Sequence, residues 1–94
     1  METRDVLQKR LESQLHEIKA EIEKIEAKAK AKEADAQIES QEKLKELREK
    51  RERTEQKLED LRNASESAWE DAKAGVQLAV TDLKAALDSA KSRF

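Results

Sequence analysis

An all-α fold is predicted, and three observations predict it. The chain has no proline and a single glycine, Gly75, whereas strand-rich folds need Gly, Pro and Asn-Gly turns to supply special backbone angles. Ala, Glu, Lys, Leu, Gln and Arg, all strong helix formers, dominate the sequence. Apolar residues then recur three and four apart from Leu7 onward, the spacing that places them on one helix face. Charged residues make up 45% of the chain and aromatic residues 2%. Such a composition covers one face of a helix with apolar side chains and leaves the rest to water. The expectation is a single helical unit over residues 1–94: either one long helix, or two helices with a break near 63–67, assembling as an elongated coiled coil.

Residues 4–62 read as a charged, heptad-type segment. Thr3 is placed to cap its start, since a threonine hydroxyl accepts from a free amide of the first turn. Leu7, Leu11, Leu15, Ile18, Ile22, Ile25 and Ala29 form the first stripe, a heptad seam from position 11 to 29. Between 27 and 41 the seam thins to alanine (Ala27, Ala29, Ala31, Ala34, Ala36), with Ile38 the one large apolar residue. Lys28, Lys30 and Lys32 alternate with these alanines. The stretch reads as a narrow, weakly packed helix; a basic patch, or an antiparallel hairpin turning within 29–40, are its alternatives. The stripe resumes at Leu44, Leu47, Leu58 and Leu61, with Arg51 and Thr54 at the two core positions between them. Glu39–Lys43, Glu46–Lys50 and Glu49–Arg53 are acid-to-base pairs four apart, each contributing about 0.2–0.5 kcal/mol to a helix.

Residues 63–94 carry an eleven-residue repeat that begins at Leu58: LEDLRNASESA, WEDAKAGVQLA and VTDLKAALDSA, closed by KSRF. Its columns are Leu58, Trp69 and Val80; Leu61, Ala72, Leu83 and Phe94; Ser65, Val76 and Leu87; and Ala68, Ala79 and Ala90. Eleven residues make three turns, so each column stays on one face. A continuous helix through the whole chain would be about 135 Å long at about 1.5 Å per residue. Charge falls along it, from 33 charged residues in 1–62 to 9 in 63–94. The last third must therefore gain its stability by burying Trp69, Val76, Val80, Leu83, Leu87 and Phe94, at about 1.5–3 kcal/mol each. Arg62, Lys73 and Lys84 line one edge of this stripe, and Asp60, Asp71 and Asp82 lie toward the other. Opposite edges of unlike charge suit parallel helix packing.

Three local features qualify this picture. Asn63 and Glu66 have capping-box-like spacing, and Ser65 or Ser67 is also able to cap, so a kink or helix restart is placed at 63–67. Trp69 reads as a large member of the stripe more than as a separate anchor. Gly75 costs about 1 kcal/mol in a helix relative to Ala, and close helix approach beside Val76 explains it better than a hinge.

The sequence also narrows the chemistry. It has no cysteine and one histidine, His16, with Glu12 one turn before it, a spacing typical of a surface pair. No glycine-rich phosphate loop occurs, and the carboxylates fall on solvated helix faces. No cofactor, metal or small-molecule substrate is expected. Lys43, Lys45, Arg48, Lys50, Arg51 and Arg53 suggest nucleic acid, yet Glu42, Glu46, Glu49 and Glu52 among them would repel phosphate, and no aromatic is there to stack bases. Net charge is −2, which gives no attracting field. No membrane-spanning run or signal peptide is read, so a cytoplasmic protein is expected.

The span AWEDAKAGVQLAVTDLKAALDSAKSRF, residues 68–94, following a Lys/Glu-rich heptad region, resembles a family of small bacterial coiled-coil proteins, some designated stress-response proteins. The family pattern commonly has a second aromatic where Val80 stands. The resemblance implies a bacterial cytoplasmic setting, a role in stress, and no catalytic activity.

The function predicted is that of a non-enzymatic structural or interaction protein acting through helix–helix self-association. Its oligomer interface is expected to comprise Leu11, Leu15, Ile18, Ile22, Ile25, Leu44, Leu47, Leu58, Leu61, Trp69, Ala72, Val76, Val80, Leu83, Leu87 and Phe94. The partner is a second copy, with parallel packing favoured, or another helical protein. The alternative is a peripheral membrane-binding or stress-protective amphipathic helix, since eleven-residue stripes also suit lipid surfaces.

Overall fold

The computed structural model describes residues 3–31 and 34–92, the side chains of 34–40 aside. The chain forms three helices, α1 (Arg4–Lys30), α2 (Ala34–Arg62) and α3 (Trp69–Lys91), and the described residues contain no strand. No helix among them is long and apolar enough to cross a membrane.

The start of α1 follows from local chemistry. Thr3 has extended backbone and its hydroxyl accepts from the Val6 amide at 3.2 Å, satisfying one amide that the helix leaves free. Asp5 lies in the first turn and Lys28 and Lys30 in the last, each complementing the helix dipole. Every large apolar residue of the expected stripe from Leu7 to Ile25 is buried, as is Ala29.

The three helices run up, down and up. Arg4 at the start of α1 reaches Leu61 at the end of α2 and Ala64 just beyond it, so α1 and α2 are antiparallel. Lys50 of α2 meets Asp82, and Thr54 meets Ala79, so α2 and α3 are antiparallel as well. Lys91 pairs with Glu21, which sets α3 parallel to α1. The bundle measures 51 × 17 × 17 Å.

These dimensions correct the expectation of one long helix. The chain reverses between Lys30 and Ala34, within the interval allowed for a hairpin, and again at 63–68, where a break was one of the two expectations. The reason is thermodynamic. A stripe buried against its own chain gives the same apolar transfer as one buried against another molecule, without the translational and rotational entropy lost on association. One core results. Ile22, Leu44, Leu47, Leu61, Val76 and Leu83 are its most deeply buried large apolar side chains.

The connection into α3 departs from its expected capping. Ala68 is the residue before the helix, with αR backbone and no side-chain bond to a free amide. The Asn63 amide group donates instead to Glu59 Oε1 at 3.3 Å, and the Ser65 and Ser67 hydroxyls lie 3.1 Å from each other. The eleven-residue columns are interrupted here too. Leu58 and Leu61 belong to α2, Ser65 and Ala68 are exposed in the connection, and the repeat lines a helix face only from Trp69 onward.

Gly75 lies within α3. A Cβ built on it would meet Lys57 Cδ at 3.8 Å, an ordinary contact. Close helix approach therefore does not require glycine there.

Candidate helix–helix interface

The residues expected to mediate assembly are brought together inside the chain. Leu11, Leu15, Ile18, Ile22 and Ile25 from α1, Leu44, Leu47, Leu58 and Leu61 from α2, and Val76, Val80, Leu83 and Leu87 from α3 form one cluster, with Trp69 and Ala72 packed against it and partly buried. Phe94 lies outside the described residues. Within one chain, the stripe is buried in the bundle's own core.

One polar side chain enters that core. Thr54 is 1% exposed, at a position where the sequence stripe was interrupted. Its hydroxyl lies 2.8 Å from the Lys50 carbonyl in its own helix and 3.3 Å from the Ala79 carbonyl of α3. This shared donation removes the penalty of an unpaired buried hydroxyl. Arg51, the other interrupting residue, is half-buried.

The edges of the α1/α2 seam carry a charge pattern that the stripe alone did not disclose. Glu12 pairs with Arg62, Lys19 with Glu55 at 2.5 Å, and Glu26 with Arg48 at 3.3 Å. The three α1 members are seven residues apart, as are the three from α2 in the opposite direction. Their signs alternate, minus-plus-minus against plus-minus-plus. A slip of one heptad would set Glu12 against Glu55 and Lys19 against Arg48. The ladder therefore specifies the antiparallel register as well as adding a little attraction.

Arg62 closes this ladder. Its Nε donates to Glu12 Oε1 at 3.0 Å and its Nη1 to Glu59 Oε2 at 3.1 Å. The hydrogen bond to Glu12, then that to Glu59, raises its pKa above the ordinary arginine value, against a small opposing effect of burial. At the other seams, Lys50 Nζ lies 2.9 Å from Asp82 Oδ1, and Lys91 meets Glu21. Asp82, from the acidic edge of the repeat, thus meets α2 within one chain, where the two helices are antiparallel. Glu46–Lys50, one of the expected pairs four apart, is present at 3.7 Å. Glu39 lies among the side chains that are not described.

Arg4 was not singled out by the sequence pattern, yet it joins three parts of the fold. Its Nη2 donates to the Ala64 carbonyl at 2.7 Å and the Leu61 carbonyl at 3.2 Å, and its guanidinium lies over the Trp69 ring. It thereby satisfies the Ala64 carbonyl, just beyond α2, and shares the Leu61 carbonyl with the Ala64 amide.

Open grooves mark the surface of the described residues, one of about 600 Å³ beside Lys9, Ser13 and His16. An open groove of about 370 Å³ lies beside Glu21, Lys24, Ile25, Lys28 and Lys91. Another, about 250 Å³, runs along the α1/α3 seam past Glu17, Lys84 and Asp88. His16 is exposed, and Glu12 pairs with Arg62 across the seam. Among the described residues, no group of three or more His, Asp or Glu is arranged to hold a metal ion.

The fold thus defines a three-helix bundle with charge-coded seams. No protein-family model, curated protein or solved structure matches the chain.

Proposed function

We propose that the chain is a non-enzymatic structural or interaction protein that acts through helix–helix self-association in the cytoplasm. The observation that carries this reading is the alternating ladder of Glu12–Arg62, Lys19–Glu55 and Glu26–Arg48. It is a recognition code between two helices, and it works equally between helices of two copies. The outer face of α3 adds a second association surface. There Leu78, 72% exposed, stands among Ala74, Thr81 and Ala85 on the least charged helix. A bacterial stress setting is the part of the proposal carried by the C-terminal resemblance alone.

Sedimentation velocity of the full chain, from micromolar to near-millimolar concentration, tests the reading. A concentration-dependent shift to a dimer or larger species is expected. A single monomeric boundary throughout overturns it.

Lipid binding stands second because of where the α3 stripe lies. Val76, Val80, Leu83 and Leu87 are buried against α1 and α2, so α3 would have to leave the bundle to present them to a membrane. That reading predicts a blue shift of Trp69 emission with anionic vesicles.

A further inference from the structure

Helices α1 and α2 are joined by Ala31, Lys32 and Glu33. Nothing in this connection specifies a turn. From Ala27 to Gln41 the sequence contains no Gly, Pro or Asn, and of the other residues that make turns cheap its one Asp and one Ser, Asp35 and Ser40, fall within α2. Ala31, which closes α1, has φ −84° and ψ −3°, right-handed backbone close to the helical region. By propensity alone, these residues would continue the helix.

The buried stripes of the two helices are also in phase along such a continuation. Leu47 follows Ala29 by 18 residues, about five turns at 3.6 residues per turn, and Leu61 follows Ile25 by 36, about ten turns. A straight helix over 4–62 would keep one apolar face from end to end. The ion-pair ladder shows the same symmetry. Glu26 and Arg48, Lys19 and Glu55, and Glu12 and Arg62 each lie equally far on either side of position 37. Two such helices, antiparallel and crossing at that position, would form the whole ladder twice.

We infer that the chain has a second, dimeric state in which α1 and α2 merge into one helix over residues 4–62 and two copies exchange α1 reciprocally. Each half of this dimer consists of α2 and α3 from one copy and α1 from the other. Every core contact of the monomer is kept, including Arg4 over Trp69, now made between copies. The connection then lies in a helix, the conformation its residue types favour. What opposes the exchange is the entropy of bringing two chains together, so concentration sets the balance. The merged helix would be about 88 Å long at about 1.5 Å per residue. This inference rests on the self-association reading and gives it a geometry.

The chain has no cysteine, so single thiols report cleanly. Full-length Lys19→Cys and Glu55→Cys variants are mixed, unfolded, refolded together at near-millimolar concentration, and treated with a short bismaleimide. Exchange predicts a covalent 19–55 link between the two different chains, in the species that sediments as a dimer. It also predicts that Ala31→Gly weakens dimerisation about thirtyfold, because two glycines enter helix interiors at about 1 kcal/mol each. Leu78→Glu should leave the dimer intact. A dimer that lacks the 19–55 link and is lost on Leu78→Glu overturns the exchange while self-association survives. A monomer under every condition overturns both.

Discussion

The guanidinium carbon of Arg4 stands 4.4 Å from the centroid of the Trp69 ring, and Nη2 of the same side chain donates to the Leu61 and Ala64 carbonyls. One residue at the start of α1 thus fastens the end of α2, the 63–68 connection and the first residue of α3. Cation–π contact contributes about 0.5–1 kcal/mol at a partly exposed site, and a charged hydrogen bond about 1.5–3 kcal/mol. With Arg4 half-exposed, Arg4→Ala is expected to cost about 1–2 kcal/mol in urea unfolding, with Trp69 emission shifting to the red. Arg4→Lys should recover part of the loss, since an ammonium keeps the charge but cannot stack on the ring and bond both carbonyls with a planar group. Unchanged stability and emission in Arg4→Ala would show that the clamp is idle.

The ladder predicts a double-mutant result. Glu26→Arg or Arg48→Glu alone places like charges across the α1/α2 seam, and each should lower stability by about 0.5–1 kcal/mol; the double reversal should restore most of it. Both effects should shrink in 1 M NaCl, where the screening length falls to about 3 Å. Alkali is a poor lever for the Arg62 pair. A raised pKa contributes stability that is present below the ordinary arginine value and lost only as pH climbs through the raised one.

Thr54 separates hydrogen bonding from packing. Both carbonyls it approaches, those of Lys50 and Ala79, lie within helices, where backbone amides already serve as donors. Thr54→Val removes the buried hydroxyl without orphaning either carbonyl and keeps most of the volume, so its stability should stay within about 1 kcal/mol of the parent. Thr54→Ala also opens a void and should lose about 1–2 kcal/mol. If the valine variant proved the weaker of the two, the hydroxyl would carry more than its geometry implies.

Gly75→Ala should stabilise the chain by about 0.5–1 kcal/mol, raising the thermal midpoint by several degrees. The site is helical, and the added methyl meets the flexible Lys57 stem at ordinary distance. A loss of stability would mean that α2 and α3 approach more closely than this spacing shows.

How much was legible depended on the type of interaction. Apolar periodicity is local, so Leu7 to Ala29 and Val76 to Ala90 identified their buried faces from spacing alone. The Glu12–Arg62 and Lys19–Glu55 pairs were hidden because their members are 50 and 36 positions apart in the chain. Their seven-residue spacing and alternating sign are visible in the sequence, but only once an antiparallel hairpin has been supposed. Arg4 carried no local signal, because its role depends on where α2 ends and α3 begins. The capping expected of Asn63, Ser65 and Ser67 was displaced by the geometry of a connection held from α1.

The sequence by itself determined the helical character of the chain and its apolar faces, and marked 63–67 as a place able to break, since each depends on neighbours within a few turns. The tertiary structure alone decided what those faces meet. Ala31, Lys32 and Glu33 are helix formers by propensity, yet the helices on either side of them are antiparallel, because closing three stripes on one core avoids the entropy of recruiting a second molecule. Helix formation is settled locally; the partner of an apolar face is settled by what the whole chain brings within reach.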